Sequence, residues 1–236
     1  MRGGKPNVNL AIYGRAFAYL ARNPSVAVIP LLAAIVDALV SYWGSVFTDP
    51  TGGSLDGLIS MAVQILYLFA FGAAIVHANN IVRGHRGGFD ASWEETRGKM
   101  GGIFLAAIGF QFVTWLAGYI GAFLGVPMLG LVLQLVAYFF LILTIPAAAI
   151  GGLPGGLAIS GSLRAVRTNW PACIILAVVF IVLWIYVPGT VSTSLYVHYG
   201  MLASSLGLAA ARGVVLAYLA FPFAVTYDET AFRGFY

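Results

Sequence analysis

PMLGLVLQLVAYFFLILTIPAAAI, from Pro127 to Ile150, runs for 24 residues without one charged side chain. A helix rises about 1.5 Å per residue, and about 20 apolar residues cross the hydrocarbon of a bilayer. The stretch is therefore long enough to span a membrane by itself. Strict alternation of apolar and polar residues, which a membrane β-strand needs, is absent from it.

Five further stretches read the same way, near 25–46, 58–82, 101–122, 171–188 and 205–227. The fifth is short and has room to extend beyond Pro188. The whole composition agrees. Of 236 residues, 61% are hydrophobic and 8% are charged, and the mean hydropathy is +0.93. A soluble domain carries about 25% charged residues, so a soluble enzyme is excluded. Disorder is excluded by the same numbers, because it requires low hydrophobicity and high charge. The expected fold is an all-α integral membrane protein, one polytopic domain over 1–236.

The Lys and Arg residues sort by position. Arg2, Lys5, Arg15 and Arg22 precede the first span, and Arg83, Arg86, Arg97 and Lys99 lie between the second and third. Arg164 and Arg167 lie between the fourth and fifth, and Arg233 is in the tail. The segments 47–57, 122–127 and 189–203 hold none. Positive charge marks cytoplasmic loops. The expected arrangement is six transmembrane helices as three hairpins in the inner membrane, with both termini cytoplasmic. The basic residues Arg15, Arg22, Arg83, Arg86, Arg97, Lys99, Arg164 and Arg167 are then topology anchors that meet lipid headgroups. Arg15 and Arg22 also interrupt the apolar run that a cleavable signal peptide would need.

The cytoplasmic segments have a pattern of their own. Within 8–22, Leu10, Tyr13, Phe17 and Leu20 share a helical face, and Asn23-Pro24 ends the run. Within 158–169, Ile159, Leu163 and Val166 oppose Ser160, Arg164 and Arg167, and Asn169-Trp170-Pro171 ends it. Ser92-Trp93-Glu94-Glu95 reads as a capping box that opens a shorter helix ending at Arg97-Gly98-Lys99. Each reads as an interfacial amphipathic helix before a hairpin, which gives three repeat units, 8–82, 90–150 and 158–227.

Two charges fall inside predicted spans. Asp37 lies about 17 Å above the start of the first span and Arg212 about 22 Å above the inner end of the sixth, at the helical rise. An isolated charge near the bilayer centre costs on the order of 3 kcal/mol or more, so an intramembrane Asp37–Arg212 pair is expected. His77, Asn79 and Asn80 form a polar group at the inner end of the second span. A small residue, Ala73, stands one turn before His77, a spacing that leaves room for a pigment or haem macrocycle. Contact of the group with Arg83 or headgroups is the competing expectation. Gln64, Gln111, Thr114, Gln134 and Thr144 suit interhelical hydrogen bonds. Gly121/Gly125, Gly151/Gly155 and Gly152/Gly156 are four apart and permit close helix approach, while Pro146 predicts a kink in the fourth span.

One cysteine, Cys173, forms no internal disulfide and reads as a small buried hydrophobe. No Ser-His-Asp set, metal-ligand spacing or phosphate loop is readable, so no metal and no cofactor is expected.

Ala21-Arg-Asn-Pro24 before the first span, Gly88-Phe-Asp-Ala-Ser-Trp93 before the third, Pro146, Ala158-Ile-Ser-Gly-Ser162 and Pro222 to Tyr227-Asp228 form a layout. It resembles that of uncharacterised prokaryotic six-helix membrane proteins, which are similar to the membrane domain fused to some glycerophosphodiester phosphodiesterases. The resemblance implies a six-helix bundle and a lipid-related context. It implies no phosphodiesterase activity, because the catalytic domain has no counterpart in this sequence. The expected function is a non-enzymatic scaffold or accessory subunit, in contact with membrane lipids and with other membrane proteins or a second copy. The alternative is a small transporter or lipid-handling protein that uses Asp37 and Arg212.

Overall fold

The computed structural model describes residues 8–47, 54–85 and 88–231, with side chains described outside 42–47 and 54–56. The elements are α1 (Ala11–Arg22), a 3-10 turn (Pro24–Ala27), α2 (Val28–Phe47), α3 (Ser54–Val82), α4 (Gly88–Phe123), α5 (Pro127–Leu141), α6 (Thr144–Ala149), α7 (Gly156–Thr168) and α8 (Trp170–Ala231). No strand occurs among the described residues. Five segments are long and apolar enough to cross a membrane: Pro24–Ser41, Gly57–Val82, Gly88–Phe123, Pro127–Ala149 and Trp170–Ala231.

The fifth and sixth expected spans both fall in α8, which is no straight rod. Gly200 has φ 82° and ψ −171°, a conformation open to glycine and closed to side chains with a Cβ. Ser192 and Ser204 hydroxyls meet at 2.8 Å, although a straight helix would separate them by about 18 Å. The chain therefore doubles back at Gly200 into two arms, 170–199 and 201–231. The loop expected over 189–203 is helical on both sides of this one glycine. Pro188 does not stop the first arm, which continues as a helix past it.

The fourth expected span is broken earlier than the glycine run that follows it. Pro146 lacks an N–H for the Ile142 carbonyl and crowds it. The helix parts at Ile142–Leu143, one turn before the proline. Ser162 of α7 repairs the gap: its hydroxyl donates to Phe140 O at 2.8 Å and accepts from Leu143 N at 3.1 Å.

The second interfacial helix is not a separate element. α4 runs unbroken from Gly88 through Lys99 to Phe123. Ser92 is no cap, since its hydroxyl donates to Gly88 O within the helix. Lys99 joins Glu95 one turn back at 2.7 Å, and nothing at Gly98, Gly101 or Gly102 breaks the hydrogen-bond ladder. The capping-box motif was satisfied by packing, so the segment fused with its span.

Many small residues line the inner helix faces. α3 is enclosed over residues 70–79, with Ala70, Ala73, Ala74, Ile75, Val76 and Ala78 almost fully buried, while its start at Leu58 and Ile59 is exposed. Ala106 and Ala107 of α4, Ala147 to Ala149 of α6 and Ala217, Ala220 and Ala224 of α8 close on it. Leu32, Ile35 and Leu39 of α2, and Phe112 and Trp115 of α4, are exposed. In α1, Ile12 and Ala16 are buried, whereas Leu10 and Phe17 are exposed. Small faces allow close backbone approach, which is how helices associate when water supplies no drive.

Gly121 shows that approach most clearly. A Cβ added there would overlap the backbone of Gly130 on α5. Its sequence partner Gly125 serves differently, turning the chain at φ 69°. Gly121→Leu should therefore part α4 from α5 and lower the thermal midpoint in detergent, with a loss of about 2 kcal/mol or more. Gly101→Ala, at a helical site with nothing within 4 Å, should leave the midpoint unchanged or raise it. Equal tolerance of both substitutions would show that the α4–α5 contact does not hold the bundle.

Candidate functional site

Asn9 Nδ2 donates to Glu229 at 3.1 Å, so the two ends of the described chain lie together. Counted from that end, Asp37, Tyr67, Trp184 and Arg212 all stand about 20–28 Å up their own helices. They meet there. Asp37 Oδ2 accepts from Arg212 Nη1 at 2.9 Å and from the Tyr67 hydroxyl at 2.9 Å. Asp37 Oδ1 accepts from Ser41 at 3.3 Å. The Trp184 ring lies 5.7 Å from the Arg212 guanidinium and packs edge-on against Tyr67.

The cluster ties α2, α3 and both arms of α8 at one level. The Asp37 side chain is 14% exposed and that of Arg212 is 32%. One donor is left over: Arg212 Nε is buried without a partner. The sequence placed Asp37 and Arg212 at similar depth but gave no sign of Tyr67 or Trp184. Depth arithmetic applied to aromatic residues would have brought both to the same level.

The second polar cluster is at the end that carries Asn9 and Glu229. His77 and Asn80, three apart, share one face of α3, and Asn79 turns to another. His77 Nδ1 lies 2.8 Å from Ser92 Oγ and Nε2 lies 2.9 Å from Ser25 Oγ. Ser92 gives its only proton to Gly88 O and also accepts from Asn80 Nδ2. Each ring nitrogen of His77 is thus engaged by a serine hydroxyl. With both ring nitrogens engaged, His77 presents no open nitrogen to a metal. Asn80 also donates to Glu95 at 2.8 Å. Glu95 in turn holds Lys99, whose ammonium donates to Ala149 O at the end of α6.

Asn79 lines a cavity with Arg15 and Arg83, and Arg83 is ion-paired with Asp228. Arg97 pairs with Glu94 at 2.9 Å. Arg22, Arg164 and Arg167 are exposed, and Arg86 lies outside the described residues. Tyr218 donates its hydroxyl to Tyr13 O, fixing α1 to the second arm of α8. Burial there pushes the Tyr13 phenol up to about 12, with Tyr218 and Cys173 adding to the rise. No group of three metal-ligating side chains occurs among the described residues. Gln111 and Thr114 are buried in α4, and the Thr114 hydroxyl bonds to its own helix at Phe110 and Gln111.

Comparison with protein-family models, with curated proteins and with solved structures returned no match. The two clusters therefore stand on their geometry.

Removing one member of the Asp37–Arg212 pair leaves the other charge buried and unpaired, which is worse than removing both. Asp37→Asn and Arg212→Gln should each lower stability by about 2–4 kcal/mol, and the double variant should lose much less than their sum. Tyr67→Phe should cost about 1 kcal/mol. Thermal midpoints of the purified variants give the cycle. Additive losses within about 0.5 kcal/mol would show that the pair is not coupled.

Proposed function

We propose that the protein is a non-enzymatic scaffold or accessory subunit of the cell's inner membrane, with six transmembrane passes and both termini cytoplasmic. It would present its surface to lipid and to other membrane proteins or a second copy of itself. The carrying observation is the Asp37 cluster. Three donors on α2, α3 and α8 saturate the carboxylate, which suits a latch that holds helices better than a carboxylate that exchanges ions.

Other features support the reading. The fold-back at Gly200 makes two apolar arms from α8, each about as long as a bilayer needs. The described basic residues other than Arg212 belong to the segments around α1, the α3–α4 turn and α7, where a cytoplasmic face would gather them. The exposed Leu, Ile, Phe and Trp side chains of α2, α4, α5 and α8 suit lipid or protein contact. α1 and α7, which leave Phe17 and Leu157 exposed, would lie as interfacial helices.

The repeat reading, units 8–82, 90–150 and 158–227, belongs to the same proposal. α1 ends at Asn23 (φ −133°, ψ 67°) and α7 at Asn169 (φ −141°, ψ 59°), so the first and third units turn alike before their spans. The likeness to membrane domains of glycerophosphodiester phosphodiesterases stays with this proposal as a lipid-related context.

A second reading, a small transporter or lipid-handling protein, is favoured by one observation. The unpartnered Nε–H of Arg212 is a buried donor that a passing anion could use.

Two measurements separate the readings. In a Cys173→Ser background, Leu124→Cys and Tyr199→Cys should react with an impermeant maleimide from outside intact cells. Arg15→Cys and Arg164→Cys should react only after permeabilisation, and labelling of Arg164→Cys from outside would overturn the orientation. For function, the gently solubilised protein should co-purify in fixed ratio with a protein partner or as an oligomer. A lone monomer, together with solute uptake in proteoliposomes that Asp37→Asn abolishes, would replace the scaffold with the transporter.

A further inference from the structure

A cavity lies away from Asp37 and His77. It is about 420 Å³ in volume and sits between α1, the end of α3 and the end of α8. Asn9, Arg15, Asn79, Arg83, Asp228 and Glu229 supply most of its polar wall, and Ile12, Val82 and Val225 its apolar side.

Asn79 is the telling residue. It is 7% exposed, yet its side-chain amide makes no hydrogen bond among the described residues while it lines the cavity. The cavity is open on one side, so a ligand can reach the Asn79 amide from outside. Arg15 has no ion pair among the described residues, and its guanidinium is exposed at the same wall. Arg83 reaches the cavity as well, held by Asp228.

The charges in the wall decide the class of ligand. Arg15, Arg83, Asp228 and Glu229 line the wall, so it offers groups of both signs. An Arg fork and an amide N–H suit phosphate oxygens. A dianion would meet Asp228 and Glu229, whereas a singly charged phosphodiester that carries an ammonium group would satisfy both signs. The apolar side of the wall, Ile12, Val82 and Val225, suits the glycerol and first methylenes of a lipid.

We propose that this cavity is a binding site for the headgroup of a zwitterionic aminophospholipid, with the phosphate on Arg15 and Asn79 and the ammonium toward Asp228 and Glu229. The proposal is independent of the scaffold reading, since a scaffold or a transporter could carry the site.

The test uses delipidated full-length protein in detergent and native mass spectrometry. It is titrated with short-chain phosphatidylethanolamine, phosphatidylcholine and phosphatidylglycerol, and with inorganic phosphate as competitor. The ethanolamine lipid should bind at least about fivefold more tightly than the other two, a difference of about 1 kcal/mol. Arg15→Gln and Asn79→Leu should each weaken it about five- to thirtyfold, about 1–2 kcal/mol. Arg97→Gln, whose ion pair with Glu94 is on the surface, should leave it unchanged. Arg15 is exposed on α1, so its variant reports on binding even if Asn79→Leu fails to fold. Equal affinity for the three lipids, or no loss in Arg15→Gln, would overturn the proposal. Displacement of the lipid by inorganic phosphate at equal concentration would also overturn it, by assigning the site to free phosphate.

Discussion

The fold depends on one constraint: where an apolar helix breaks, the backbone groups it frees must find another partner inside the protein. The two breaks that flank α6 have such a partner. Ser162 bridges Phe140 O and Leu143 N across the gap made by Pro146. Lys99 covers Ala149 O, the last carbonyl of α6. These side chains come from distant positions, so breaks and docking surfaces are the same places. α7 is held against the α5–α6 gap, and α4 against the end of α6, because those helix ends need them.

Close packing follows from the same surroundings. Without water to drive association, helices attract through many short contacts. Alanine and glycine faces provide them, as at Gly121 against Gly130 and around α3. Bulky side chains occupy both places: Phe71, Phe221 and Phe223 fill the core, and Leu32, Phe112 and Trp115 face outward. Charge obeys the constraint too. Asp37 is not tolerated at its level because one arginine is near. It is tolerated because both its oxygens are occupied and Trp184 covers the guanidinium.

Much of this was legible in the sequence, and the reason differs by feature. Helical content and spanning length are written in runs such as 127–150, because hydrophobic length is a local property. The approach of Asp37 to Arg212 could be anticipated by counting residues, because helices convert sequence position into height. Features that depend on what lies across a gap were not legible. Ser92 looked like a cap because the motif is local, but its hydroxyl is used by His77 and Asn80 from α3. Gly200 gave no sign of being the whole turn, since glycine is common throughout this chain and only its dihedral angles mark it. The grouping of His77, Asn79 and Asn80 ignored the helical period, which sends Asn79 to a different neighbour.

The two polar levels differ in a way that bears on how the molecule could respond to a ligand. The Asp37 level joins α2, α3 and both arms of α8, so it fixes the bundle. The Asn79 level joins α3 and the second arm of α8 to α1, which also buries Ile12 and Ala16 against the bundle. Its polar ties are Tyr218 to Tyr13 O and Asn9 to Glu229, supported by Phe17 on Tyr218 and Tyr19 on Phe221. A ligand that pairs with Arg15 and Asn79 together would bind only the docked arrangement of α1 and would stabilise it by its differential affinity. The upper cluster would then set the fold, and occupancy of the lower cavity would set how firmly the first helix is attached to it.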